Sequence, residues 1–147
     1  MMISTKGRYA LLVLIDLAQH ENQGNISLKA IAERQNVSMK YLEMIVSLLR
    51  EGGLVTSCRG KEGGYQLARP SSDIRVSEII RATEGSLAMM ACPDCGEGGG
   101  TCGRADICLT LPMWQQLESL IDDYLSRISI HDLVTGNVAP RESKGEL

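Results

Sequence analysis

S-L-K-A-I-A-E-R-Q-N-V-S-M-K-Y-L-E-M-I-V-S-L-L-R-E-G-G, residues 27–53, is the stretch that decides the fold. Ser27 stands just before a short run in which Leu28, Ile31 and Ala32 keep helical spacing, and a serine hydroxyl there can accept from backbone N–H groups left open at a helix start. Asn36 and Val37 interrupt the run as a tight turn. Ser38 then caps a second amphipathic helix, with Leu42, Ile45, Val46 and Leu49 at i, i+3, i+4 and i+7. Gly52 and Gly53 end it, because glycine readily adopts the left-handed backbone that closes helices. Two short helices joined by a tight turn form a helix-turn-helix unit, whose second helix is shaped to enter a DNA major groove.

Upstream, Ser4 can cap a helix whose apolar residues, over 8–20, cover most of its circumference, so it is expected to be buried. Gly24 and Asn25 break it. Downstream, 54–58 reads as a strand, 59–64 as a glycine-rich connection and 65–68 as the returning strand, which makes a β-hairpin or wing. Residues 70–73 form a turn, Ser77 is expected to cap a helix running to Glu84, and Gly85 closes that helix. Pro112 suits a helix's first turn. Behind it Met113, Trp114, Leu117, Leu120, Ile121, Tyr124, Leu125 and Ile128 make a stripe too wide for a solvated helix, so a partner must cover it. The fold class expected is mainly α with a small β-hairpin wing: a winged helix-turn-helix followed by a long dimerisation helix. Its expected parts are a DNA-binding domain at 1–85, a cysteine-rich loop at 86–111, the dimerisation and C-terminal helices at 112–135, and a polar tail at 136–147 without fixed structure.

With 147 residues and 44% apolar content the chain can bury a core of its own. No stretch approaches a membrane span and the first residues lack the apolar core of a secretion signal, so a cytoplasmic protein without membrane partners is expected. The net charge of −3 hides an asymmetry: residues 1–70 carry nine Lys/Arg against six Asp/Glu, and residues 71–147 carry six against twelve. Phosphate contact needs cations, so double-stranded DNA would bind the first half.

On the second helix of the pair, Lys40, Glu43, Met44 and Ser47 follow i, i+3, i+4 and i+7 on the polar side, with Tyr41 and Ser38 at the entering end. Lysine can reach phosphate or guanine, the serine hydroxyls can reach phosphate, glutamate can accept from cytosine N4, and methionine can touch a thymine methyl. Glu43 is therefore the specificity candidate. The plain alternative is an ordinary solvated helix face. Arg59 and Lys61 at the hairpin tip weigh against it, since an arginine there can enter a narrow minor groove. Cys58, on the first strand with no cysteine near it in sequence, reads as a small core residue. His20 and His131 read as helix-end or solvent-facing groups rather than ligands.

Cys92-x2-Cys95-x6-Cys102-x5-Cys108 gathers four thiols within seventeen residues of glycine-rich chain. Four soft thiolates complete a tetrahedral or cluster shell, so a metal is expected: an iron–sulfur cluster of [2Fe-2S] or [4Fe-4S] type, or zinc, which accepts the same ligands. A thiol–disulfide role for Cys92 and Cys95 is the remaining option, although no βαβ pattern surrounds them. No nucleophile–base pair, phosphate loop or carboxylate pair points to another enzyme activity.

These residues together resemble the IscR/NsrR/CymR ("Rrf-two") family of bacterial winged-helix transcription regulators. The resemblance covers roughly residues 1–135 and rests on I-S-T-K-G-R-Y-A at 3–10, S-L-K-A-I-A-E-R-Q-N-V-S at 27–38, Y-L-E at 41–43, L-R-E-G-G-L-V at 49–55, R-G-K-E-G-G-Y-Q-L at 59–67 and I-I-R-A-T-E-G at 79–85. It implies that Tyr41, Glu43 and their neighbours read the major groove, that Arg59 enters the minor groove, and that the helix after Pro112 crosses its mate in a homodimer. Such a dimer would present two recognition helices about 34 Å apart and favour a palindromic operator. Cluster-binding members carry three loop cysteines followed by Leu-Thr and a tryptophan, matched here by Cys108-Leu109-Thr110 and Trp114. The fourth ligand departs from the family: where some members have a histidine this chain has Leu111, and where others use an acidic residue of the first helix it has Arg8. An all-thiolate set, with one or both of Cys92 and Cys95 joining Cys102 and Cys108, would fill the vacancy. The resulting expectation is a cluster-modulated operator-binding repressor, with structural zinc or no metal as the rival.

Overall fold

A serine hydroxyl starts each of the first three helices. In the computed structural model, which describes residues 3–87 and 105–138, Ser4, Ser27 and Ser38 accept from the N–H groups of Gly7, Ala30 and Tyr41 at 3.4, 3.2 and 3.3 Å. Helix α1 spans Thr5–Gln19, α2 Leu28–Gln35 and α3 Met39–Glu51. Asn36 turns the chain between α2 and α3 in the left-handed conformation, φ 51°, which asparagine tolerates better than most residues. Gly53, at φ 69°, makes the exit from α3. The helix-turn-helix expected at 27–53 is thus present with the same boundaries.

Strands β1 (Val55–Cys58) and β2 (Gly64–Leu67) pair antiparallel, Val55 opposite Leu67 and Cys58 opposite Gly64. Of the four β1 residues only Val55, at the base of the hairpin, is buried. Cys58 is therefore exposed, and its expected place in the core is corrected. A third segment joins the wing: Ile26 and Tyr65 exchange both backbone hydrogen bonds, at 2.9 and 2.8 Å. Gly64 makes this approach possible. Its φ is +155°, and a Cβ there would lie 2.5 Å from the Ile26 carbonyl oxygen.

After a short turn at Ser71–Asp73, helix α4 spans Val76–Glu84 and Gly85 closes it at φ 81°. Ser77 does not cap α4, contrary to expectation. It lies inside the helix, buried, and accepts from the Ser126 hydroxyl at 2.9 Å. The entry is held instead by the Glu78 carboxylate, which accepts from the Arg75 N–H at 2.9 Å. Helix α5 spans Leu111–Arg127 with Pro112 in its first turn, and α6 spans Ile130–Thr135. Between them the chain returns to the base of α4: Ser129 bridges Arg75, and Ile130 and Val76 donate to the carbonyls of Ile74 and Ile128.

One core draws on nearly all these elements. Val13, Leu14 and Leu17 of α1, Ile31 of α2, Leu42, Ile45 and Leu49 of α3, with Leu54, Ile74, Ile79 and Ile130, have essentially no exposure. A smaller cluster of Val76, Ile80 and Leu87 receives Leu125 and Ile128 from the end of α5. The rest of α5 is bonded to α4 through Asp122 and Ser126. None of its residues is buried, and Met113, Leu120 and Tyr124 are 54, 37 and 44% exposed. Among the described residues no helix is long and apolar enough to cross a membrane.

Candidate nucleic-acid interface and cysteine loop

Helix α3 buries Leu42, Ile45, Val46 and Leu49 and therefore turns the opposite side outward. Lys40, Glu43 and Met44 are exposed on that side, Met44 by 44%. Among the described residues neither Lys40 nor Glu43 is in a salt bridge, so both heads are available to a ligand. Ser47 is half-buried and donates weakly to Glu51 at 3.4 Å. Ser38 is exposed, with its hydroxyl oxygen already holding the Tyr41 N–H. Tyr41 departs from the simple helical face: it is half-buried and meets Tyr9 of α1 edge-to-face, ring centroids 5.9 Å apart. The Arg8 guanidinium lies 5.5 Å from the centre of the Tyr9 ring, which puts a further cation beside the entering end of α3.

Arg59 and Lys61 are exposed at the wing tip, and neither is salt-bridged among the described residues. Lys40 on α3 and Arg59 and Lys61 on the wing are thus three exposed cations without a described salt bridge. Sequence reasoning missed how the tip is held. Asn25, in the connection before α2, donates from Nδ2 to the Glu62 carbonyl at 3.2 Å. The two residues are 37 apart in sequence, and no local pattern reveals such a bond.

The support beneath α2 was also missed. Asp16 sits 2% exposed in the otherwise apolar middle of α1, and Arg34 of α2 grips it with Nε at 2.8 Å and Nη2 at 2.6 Å. Gln35 Nε2 adds a bond at 3.3 Å, and His20 Nδ1 donates to the Asp16 carbonyl at 2.7 Å. Burial by itself would push the Asp16 carboxyl up, but the hydrogen bonds from Arg34 and Gln35 and the charges of Arg34 and His20 outweigh it and hold the pKa below its ordinary value. One signal was available: an aspartate in the middle of a buried helix must find a cation or a donor.

Of the four loop cysteines, Cys92, Cys95 and Cys102 lie outside the described residues. Cys108 is described, two residues before the Thr110 position that precedes α5. It is half-buried, with Sγ 3.5 Å from the Thr110 hydroxyl. The described residues contain no group of three or more His, Cys, Asp or Glu that could hold a metal. His131, on α6, is exposed. Arg8 is exposed and turned to Tyr9, and Leu111 opens α5, so neither position offers a ligand atom.

The loop lies between two helices that side-chain bonds tie to the body and to each other. It leaves from α4, whose Glu84 carboxylate accepts from both the backbone N–H (3.1 Å) and the hydroxyl of Ser4 at the start of α1. It re-enters at α5, which is tied to α4 by Arg81 with Asp122 and by Ser126 with Ser77. Side-chain bonds thus run from α5 to α4 and from α4 to the start of α1, and α1 carries Tyr9 against Tyr41.

A family model described as Rrf2, iron-dependent transcriptional regulator, matches residues 3–136. The HTH-type transcriptional regulator IscR of Pectobacterium atrosepticum is 38% identical over 146 residues, covering 97% of this chain and 87% of that protein. Among solved structures, CymR, the global cysteine regulator of B. subtilis, superposes with a TM-score of 0.73 at 35% identity, over 92% of this chain and 98% of its own. IscR of T. potens gives 0.73 at 37% identity, over 100% and 93%.

Proposed function

Because this chain belongs to the Rrf2 family of DNA-binding transcriptional regulators, we propose that it is an operator-binding repressor whose grip on DNA is set by an iron–sulfur cluster on the 92–108 loop. The observation that carries the reading is the place of the loop: four thiols sit in the connection between α4, whose Glu84 is bonded to the start of α1, and α5, whose Met113, Leu120 and Tyr124 are exposed. In this reading Cys92, Cys95, Cys102 and Cys108 hold the cluster. The fit rests on donor chemistry: Cys108 is present at the foot of α5 beside a threonine hydroxyl, and no other described group of donors competes for the metal. When bound, the cluster would supply a redox- and iron-responsive centre whose loss changes the constraint on the α4–α5 connection.

The protein's own residues do the reading of DNA. Ser38, Lys40, Tyr41, Glu43, Met44 and Ser47 form the major-groove side, with Glu43 accepting from cytosine and Lys40 reaching guanine or phosphate. Arg59 and Lys61 address the minor groove and its phosphates. Pairing of two copies through α5 would set two α3 helices about one DNA turn apart and so select a palindrome. A repressor follows if the occupied operator overlaps a promoter.

Anaerobic purification tests the cofactor. A brown protein with iron and inorganic sulfide, and visible absorption that disappears in air, is the expected result; a colourless protein with stoichiometric zinc supports the structural-metal alternative. Replacing Cys92 and Cys95 singly and together by Ser tests the all-thiolate set. The double variant is expected to lose the cluster, and a full complement of iron in it would contradict the assignment.

A further inference from the structure

We propose that Asn25 is a positioning residue for DNA recognition: through its bond to the Glu62 carbonyl it fixes the wing tip so that Arg59 points where the groove can be reached. The inference rests on the reading of Arg59 as a DNA contact. Three observations carry it. First, the donor is unambiguous. A carbonyl oxygen can only accept, so the amide must present Nδ2 to Glu62, 3.2 Å away. Second, this orientation has a cost. The other amide atom, Oδ1, is buried with no hydrogen-bond partner among the described residues. A buried acceptor left open is unfavourable, whereas an exposed carbonyl such as that of Glu62 could turn to water without the asparagine. Stability alone therefore gives little reason for an asparagine here.

Third, Asn25 acts at the wing tip, beyond the part of the hairpin that the body holds. The Ile26–Tyr65 bridge ties down β2 at its start, but the connection beyond it, Arg59 to Gly63, is exposed over nearly all its length. Within it the Gly63 N–H bonds to the Gly60 carbonyl at 3.0 Å, which closes the tip as a turn on itself without anchoring it to the body. The Asn25 bond is the described side-chain contact that joins this turn to the helix-turn-helix body. Arg59 and Lys61 lie just before the anchored residue, Glu62. An arginine that must thread a narrow groove loses affinity when its backbone is released, because the ordering then has to occur on binding.

The test is a double-substitution cycle with Asn25→Ala and Arg59→Ala, binding measured by fluorescence anisotropy on a duplex that the protein enriches from a random-sequence pool. Asn25→Ala is expected to weaken binding about three- to tenfold, the range of one hydrogen bond, with melting temperature nearly unchanged because the orphaned oxygen goes too. Asn25→Asp, the same shape without the donor, is expected to weaken binding at least as much. In the Asn25→Ala background Arg59→Ala should cost clearly less than in the wild type, a coupling that a merely structural residue would not show. Additive effects of the two substitutions, with Arg59→Ala harmful on its own, would overturn the role given to Asn25 while leaving the wing reading intact. If Arg59→Ala alone leaves binding unchanged, the wing reading fails and the inference falls with it.

Discussion

At the scale of single residues, the Asp16–Arg34 pair shows how a polar group inside an apolar helix serves the DNA-binding unit. Asp16 accepts from Nε and Nη2 of Arg34 and so fastens α2 to α1. Arg34→Ala would strand a buried carboxylate. Breaking a fully buried pair costs about 3–5 kcal/mol, and because the Arg34 side chain is 37% exposed the expected loss is nearer about 2 kcal/mol. Chemical denaturation of the two proteins checks it. The pH dependence follows from the sign of the shift. The folded-state pKa of Asp16 lies below the unfolded one, so its contribution is fully present above the ordinary carboxylate range, about pH 4, and is lost as pH falls through the lowered folded value. Melting temperature in acid should therefore fall more steeply for the wild type than for Asp16→Asn. Glu43 belongs to this scale as well: Glu43→Ala is expected to relax base preference by about 1–3 kcal/mol at one position of each half-site, read by competition between duplexes differing at that base pair.

At the scale of elements, capping and glycine geometry account for most of what could be read from the chain. The serine before each apolar run marks the starts of α1, α2 and α3, and Asn36 and the Gly52–Gly53 pair mark the ends that matter, so the helix-turn-helix was legible almost residue for residue. The same rule misled at Ser77, because a serine near a helix start can equally turn inward to a neighbouring helix, and the neighbour, Ser126, is 49 residues away. Cys58 was misplaced because a strand pattern does not say how much of a two-stranded hairpin the body covers. The contact of Gly64 with Ile26 makes a sharp prediction. Gly64→Ala would place a Cβ against a backbone carbonyl at a φ that favours glycine, and is expected to cost about 1–3 kcal/mol and to detach the wing. Loss of hydrogen-exchange protection at the Ile26 and Tyr65 amides would report it.

At the scale of the whole molecule, the proposed pairing of two copies rests on α5. Its stripe was recognised from sequence as needing a cover, and in the single chain Met113, Leu120 and Tyr124 remain open while Leu125 and Ile128 close against α4. A charge on the open side, Leu120→Asp, is expected to leave the monomer folded and to dissociate the dimer, measured by sedimentation equilibrium and circular dichroism together. The candidate site divides the same way. The exposure of Lys40, Glu43 and Met44 was legible because helical periodicity fixes which face is out, whereas the half-burial of Tyr41 against Tyr9 was not; the bonds around the cysteine loop, Glu84 to Ser4 and Arg81 to Asp122, join residues far apart in the chain and were not legible either.

The central claim is that the state of the loop between α4 and α5 governs the grip on DNA. It is tested most directly by titrating one operator duplex with anaerobic cluster-loaded protein and with the same protein after iron and sulfide have been removed, at fixed salt. The account predicts two curves displaced in affinity, with the displacement abolished when the loop cysteines are replaced by Ser. Superimposable curves for the loaded and stripped protein would contradict it.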